Sequence, residues 1–230
     1  MPLLIKGFQK LSLIDYPDKL CATIFVGNCN FRCGYCYNKD LVLHANQLTT
    51  IPENLVLNFL DKRKSFLDGL CIGGGEPTLH DDLPNFLIRV KKLGYAIKID
   101  TNGSNPSMLQ QLINTRLIDY CAMDIKAPLQ KYVQVTNVPV DIGLIKQSIM
   151  ILKKGAIDYE FRTTVTPDIL SLKDIAELVS DLQTAKRYVI QQFVPGHTLD
   201  NTVQRQYSAE TLQALQIQFA PFFQECLLRN

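Results

Sequence analysis

Leu20-Cys21-Ala22-Thr23-Ile24-Phe25-Val26 is a short run rich in β-formers, and it predicts the first clear strand of the chain. A helix is predicted from Thr50, where Thr50-Ile51-Pro52-Glu53 reads as a capping box with proline in the first turn. It runs through Leu55, Val56, Phe59 and Leu60 toward Gly69. The alternation then repeats. Leu70 to Ile72 reads as a strand, Leu83 to Leu93 as a helix closed by Gly94, and Tyr95 to Ile99 as a half-buried strand. Met108 to Asn114 is a short helix leading into a strand at Ile118 to Met123. Ile142 to Lys154 reads as a helix ended by Gly155, followed by a strand at Tyr159 to Val165. Ser171-Leu172-Lys173-Asp174 caps a helix through Leu182, Arg187 to Phe193 is the last strand, and Ser208 to Phe219 the last helix.

Strands alternating with helices define an α/β domain with a parallel sheet. Right-handed crossovers wind the six strand–helix units into one curved layer, either a barrel-like wall or a doubly wound sheet. In both, function belongs at the C-terminal ends of the strands.

A chain of 230 residues, 47% hydrophobic and 20% charged, is one domain or at most two small ones, and it can bury a proper core. Its 24 basic and 22 acidic residues nearly cancel, which argues against a surface built to bind nucleic acid or anionic membrane. No apolar run is long enough to span a bilayer and no signal-peptide pattern opens the sequence, so a cytoplasmic setting is expected.

Seven cysteines remain to be explained. An odd number, with three packed into eight residues, makes a poor disulfide framework. A metal or cluster site in a reducing compartment fits better. Cys21, Cys71 and Cys121 lie in apolar runs and read as small buried hydrophobes, while Cys226 has no visible partner.

Cys29-Asn30-Phe31-Arg32-Cys33-Gly34-Tyr35-Cys36 directly follows the first strand. Three thiolates at these spacings converge on one inorganic centre if the backbone wraps it, with Phe31 and Tyr35 placed to screen it from water. Structural zinc needs four ligands, and here the fourth would be His44 or a distant cysteine. A ferredoxin-type cluster also takes four cysteines. A cubane held by three leaves one iron open for a ligand that carries an amine and a carboxylate.

The cysteine loop, with Tyr35 before its last cysteine, resembles that of radical S-adenosylmethionine enzymes. Gly74-Gly75-Glu76-Pro77 at the end of the second strand stands where that superfamily has its glycine–glycine–glutamate–proline run. Asp100-Thr101-Asn102-Gly103 and Met123-Asp124-Ile125-Lys126-Ala127-Pro128 end the next two strands. With Leu13-Ile14-Asp15-Tyr16-Pro17, the whole chain is similar to glycyl-radical-enzyme activases, and most of all to anaerobic ribonucleoside-triphosphate reductase activating proteins. Asp18, Tyr37 and Gly73 depart from that pattern, standing where glycine, histidine and serine are common.

The resemblance implies a single radical S-adenosylmethionine domain over residues 1–230, its core at about 20–220, folded as a partial, open TIM-like barrel. It implies a [4Fe-4S] cluster on Cys29, Cys33 and Cys36, with S-adenosylmethionine on the fourth iron. Gly74, Gly75, Glu76 and Pro77 would line the methionine amino group, mostly through backbone. Asp100 and Asn102 belong to the segment facing the ribose or the methionyl end, Asp124 and Lys126 complete that wall, and Tyr35 falls in the adenine-contacting segment. His197 stands where activases often place another contact, and Arg162 and Gln192 are candidates for the cavity. His44 and His80 read as solvated loop residues.

The implied reaction is reductive cleavage of S-adenosylmethionine and formation of a glycyl radical on anaerobic ribonucleotide reductase. The electron would come from a flavodoxin or ferredoxin, since no cysteine-rich insertion offers a second cluster. The alternatives are a radical enzyme acting on a small molecule or another polypeptide and, outside enzymes, a zinc-stabilised binding or electron-transfer module.

Overall fold

The computed structural model describes residues 3–182 and 184–229. One eight-stranded sheet, with its strands adjacent in sequence order, runs through it. The strands are β1 (Ile5–Ser12), β2 (Cys21–Val26), β3 (Gly69–Gly74), β4 (Ala96–Thr101), β5 (Tyr120–Asp124), β6 (Asp158–Val165), β7 (Arg187–Gln192) and β8 (Glu225–Arg229). β1 pairs antiparallel with β2, and every later pairing is parallel. A doubly wound sheet reverses its order at a switch point. This one never does, so of the two expected layers it is the barrel-like wall, an open partial TIM-like barrel.

Helices α1 (Lys39–Leu43), α2 (Glu53–Asp61), α3 (Leu83–Lys92), α4 (Pro106–Asn114), α5 (Tyr132–Thr136), α6 (Ile142–Lys153), α7 (Leu172–Leu182) and α8 (Ala209–Phe219) supply the crossovers. Gly94 and Gly155 adopt φ of +91° and +70°, the left-handed conformation that ends a helix. Ser171 and Asp174 form a reciprocal cap: the Asp174 amide donates to Ser171 Oγ at 3.2 Å, and the Ser171 amide donates to Asp174 Oδ2 at 2.9 Å.

The capping box expected at Thr50 does not form. Pro52 is the N-cap of α2 and makes no side-chain cap bond. Thr50 Oγ1 instead accepts from Lys6 Nζ at 2.7 Å, because β1 runs alongside this segment. The sheet also extends past the expected core of about 20–220 at both ends, through β1 and β8. β1 is interrupted by register shifts and β8 is only half buried, so neither gives the clear apolar run that marks a central strand.

Alternate strand residues face opposite sides. The outer side carries the main core, including Ile24, Leu70, Ile72, Ile97, Ile99, Phe161 and Ile190, packed under the helices. Inside, Tyr16, Cys21, Cys71, Tyr120 and Ala122 form a separate small cluster that plugs the N-terminal end of the barrel. All three apolar-run cysteines are buried, Cys121 in the outer core and Cys21 and Cys71 in the plug.

Candidate functional site

Above the plug, a cavity of about 560 Å³ opens at the C-terminal ends of the parallel strands. The connections after four successive strands meet there. Cys29, Cys33, Tyr35 and Cys36 come from the loop after β2, Gly74, Gly75 and Glu76 from the end of β3, Asp100 and Asn102 from β4, and Asp124 and Lys126 from β5. Sheet order alone brings them together, since neighbours in sequence are neighbours in space.

The glycines at the end of β3 answer to the chain's own packing. A Cβ on Gly75 would lie 1.9 Å from the carbonyl oxygen of Asn28, and Gly74 has φ of +102° with the β2 backbone 2.8 Å from where its Cβ would stand. The Gly75 amide donates to Val26 O at 2.8 Å and the Glu76 amide to Asn28 O at 2.8 Å. The cysteine loop is thereby stitched to the glycine run, and Asn38 Nδ2 adds a bond to Gly74 O at 3.0 Å. At Gly73 a Cβ would meet only the Asp100 side chain, at 3.6 Å, so a serine would fit there.

Glu76 is buried, and its carboxylate is occupied internally. Oε1 accepts from the Thr78 amide at 3.1 Å, from Thr78 Oγ1 at 2.5 Å and from Thr101 Oγ1 at 2.7 Å. Oε2 accepts from the Asn102 amide at 2.7 Å. Burial raises this carboxyl above its ordinary value although those bonds pull it down. Glu76 is therefore a clamp between the ends of β3 and β4. Its loop presents backbone to the cavity.

The opposite wall is ionic. Arg162 on β6 stands beside Asp124 in the strand register. Its Nε donates to Asp124 Oδ1 at 2.9 Å and its Nη1 to Asp100 Oδ2 at 3.2 Å. Lys126 Nζ reaches Asp124 Oδ2 at 3.1 Å and lies 5.8 Å from the Tyr35 ring centroid. Against the desolvation that raises them, Arg162 and then Lys126 hold the Asp124 carboxyl well below the usual carboxylate range, and Arg162 and then Lys98 lower that of Asp100. Deeper in the barrel, fully buried Glu160 takes Tyr120 Oη at 2.9 Å and Arg229 Nη1 at 3.2 Å. A surface ion pair is worth little. Asp124 and Lys126 belong instead to a partly buried network.

Arg162 lines the cavity, as do Ile14, Asp15, Thr101, Thr164, Gln191 and Arg229, which sequence reasoning did not assign. The period-two signal fixes which residues share a side of a strand but not which side faces inward. Hence Gln191 lines the cavity, while Gln192 donates to Tyr207 O at 3.4 Å. Pro77 is buried behind the lining, where it opens a short 3₁₀ turn. His197 is exposed and outside the lining. Its loop nonetheless straps the cysteines: Leu199 and Asp200 amides donate to Cys36 O at 2.9 Å and Gly34 O at 2.8 Å, and Tyr37 Oη accepts from the Val194 amide at 2.6 Å. His44 is exposed as expected. His80 is not a solvated loop residue: it is buried, with Nε2 2.9 Å from Gly27 O.

The donor set suits an iron–sulfur cluster. Cys29, Cys33 and Cys36, three thiol residues of one loop, line one cavity. Burial pushes the Cys29 thiol up to about 12 and raises Cys33 as well. Such thiols ionise when a cationic centre repays their desolvation. Tyr35 Oη is buried without a hydrogen-bond partner at the cavity wall, a polar group left for a ligand.

The sequence profile of the radical SAM superfamily matches residues 23–182, and the chain belongs to that superfamily. Its enzymes use a [4Fe-4S] cluster and S-adenosylmethionine. Within it, a Methanocaldococcus jannaschii protein provisionally named a glycyl-radical enzyme activating enzyme is 37% identical over 205 residues, 87% of this chain and 84% of that protein. That places the chain among the glycyl-radical-enzyme activating enzymes. The anaerobic ribonucleoside-triphosphate reductase-activating protein of Escherichia coli K12 is 24% identical over 53% of this chain and 86% of its own length. Among solved structures, Streptococcus suis SuiB bound to S-adenosylmethionine aligns with a TM-score of 0.69 at 17% identity, covering 87% of this chain but only 48% of SuiB. A domain of pyruvate-formate lyase-activating enzyme from Bacteroides vulgatus aligns at 0.56 and 18% identity, over 70% of this chain and 99% of that domain. These structures share the fold. Among the described residues, no helix is long and apolar enough to cross a membrane.

Proposed function

We propose that the chain activates anaerobic ribonucleoside-triphosphate reductase by generating a glycyl radical on it, in the cytoplasm, with a flavodoxin or ferredoxin as electron donor. The observation that carries this reading is where the cavity meets the surface. The strap of residues 194–200 is bonded to the cysteine loop, and Ile14, part of the lining, is 81% exposed, so the cavity reaches the surface there. A polypeptide loop has a way in there.

Cys29, Cys33 and Cys36 would hold the cluster, and Tyr35, Gly74, Gly75, Glu76, Pro77, Asp100, Asn102, Asp124 and Lys126 would form or support the S-adenosylmethionine site. When bound, these cofactors supply a 5′-deoxyadenosyl radical able to take a hydrogen atom. The chain's own contribution is placement. Backbone of the β3 loop offers acceptors for an ammonium group, and Lys126 offers a cation for a carboxylate. Asp100 and Asn102 supply acceptors and donors for hydroxyls. Phe31 and Tyr35 exclude water beside the cysteines. His197, exposed and off the cavity, would serve through its loop.

The test is to mix the reconstituted, reduced protein and S-adenosylmethionine with purified anaerobic ribonucleoside-triphosphate reductase and record electron paramagnetic resonance spectra. A glycyl radical signal on the reductase is expected. Cleavage of S-adenosylmethionine without that signal would reassign the protein to another polypeptide or to a small molecule. A colourless zinc protein that cleaves nothing would overturn the enzymatic reading.

A further inference from the structure

Lys98 is a lysine where an apolar residue would be expected. It lies on β4 two residues before Asp100, so both point into the barrel, and it is 1% exposed. Its register neighbours are Cys71 on β3 and Tyr120 on β5, both part of the plug. The ammonium group forms an ion pair with Asp100 Oδ1, and Cys71 Sγ is 3.7 Å away. The other oxygen of Asp100 accepts from Arg162.

Burying such a pair is a poor way to gain stability, because desolvation offsets the attraction and apolar residues of the same size do as well. The geometry gives a different reason. An ionised carboxylate offers about four lone-pair directions. Lys98 takes one from beneath, Arg162 takes one from the side, and Asp100 still lines the cavity. Arg162 also serves Asp124, so without Lys98 the Asp100 carboxylate keeps one charged tether and a long 4.0 Å contact from Cys71 Sγ. Two tethers on different oxygens fix the plane of the group.

We propose that Lys98 is a positioning residue, which locks Asp100 as a fixed, ionised acceptor at the cavity floor and thereby sets the affinity for S-adenosylmethionine. This rests on the reading above that Asp100 faces that molecule. Lys98 itself is buried and is not part of the cavity lining, so it acts through Asp100.

The test compares S-adenosylmethionine binding by equilibrium dialysis in reconstituted wild-type, Lys98→Met, Lys98→Arg, Asp100→Asn and Lys98→Met/Asp100→Asn proteins, each checked for iron content. Lys98→Met should weaken binding about tenfold or more, as for loss of a charge-assisted tether, and Lys98→Arg should restore most of it. In the Asp100→Asn background, Lys98→Met should change affinity less than about twofold, because the residue it acts through is already neutral. In protein without cluster or cofactor, the Asp100 carboxyl followed by carbon NMR should titrate at higher pH in Lys98→Met than in wild type. If Lys98→Met does not fold, Lys98→Gln takes its place under the same criteria. Wild-type binding with Lys98→Met unchanged, or an equal loss in both backgrounds, overturns this role alone. Wild-type protein that binds no S-adenosylmethionine overturns the cofactor site as well.

Discussion

The two ends of the barrel interior are built on opposite principles. At the N-terminal end Tyr16, Cys21, Cys71, Tyr120 and Ala122 close the barrel with small and aromatic side chains. At the C-terminal end the same strands carry carboxylates, guanidinium groups and thiols around an open cavity. Between them lie Lys98 and Glu160, fully buried and charged. The difference teaches where a cysteine becomes chemical. Cys71 and Cys33 are both buried, but Cys33 has two further thiols of its own loop beside the same cavity, whereas Cys71 sits among plug side chains.

The largest effect should separate those two cysteines. Cys33→Ser should abolish the cluster's visible absorption and reductive cleavage of S-adenosylmethionine, while Cys71→Ser should keep both, as measured after anaerobic iron and sulfide reconstitution. If Cys71→Ser also lost the cluster, the contrast between plug and mouth would fall.

Next comes the charged layer. Glu160→Leu leaves Arg229 and the Tyr120 hydroxyl without their shared acceptor. Because Arg229 is itself 35% exposed, breaking this pair from one side should cost about 3 kcal/mol, the lower end of the range for a buried pair, read by urea denaturation. Gly75→Ala should cost somewhat less, toward the upper end of the roughly 1–3 kcal/mol typical of overpacking, because its Cβ meets backbone that cannot swing aside. Gly73→Ser should be near neutral by the same assay.

Acid probes the mouth more gently. Asp100 and Asp124 have folded-state pKa values below their unfolded ones, so they stabilise the fold above the unfolded value of about 3.9 and lose that contribution as pH falls below it. The melting temperature of the cluster-free protein should therefore fall as pH drops below about 4, and less steeply in Asp124→Asn. Glu76 works in the opposite sense, since its carboxyl is raised by burial and its protonation in acid relieves a cost. The smallest effect is expected at His197→Ala, whose S-adenosylmethionine affinity should match wild type within about twofold, because the ring is solvent-exposed.

Much of this was legible in one dimension. Strong apolar runs marked β2 to β7, and glycines with positive φ ended α3 and α6 where expected. β1 and β8 were not legible, because an interrupted edge strand and a half-buried one lack the pattern of a central strand. Thr50 misled because a lysine from β1 competed for its hydroxyl. Gln191 and Gln192 were indistinguishable, and His80 looked like an ordinary loop histidine until the chain closed over it.

What the sequence determined by itself is the order of the motifs and the strands they end, because a parallel sheet laid down in sequence order places successive strand ends side by side. The three-cysteine spacing belongs to that same local information. Only the tertiary structure decided how each carboxylate is held. Glu76 is buried with its oxygens taken by neutral donors of Thr78, Thr101 and Asn102, whereas Asp100 and Asp124 are paired with the cations Lys98, Arg162 and Lys126. The physical reason is that hydrogen-bond partners and inward direction depend on curvature and register across strands far apart in the chain, and no short stretch of residues carries that information.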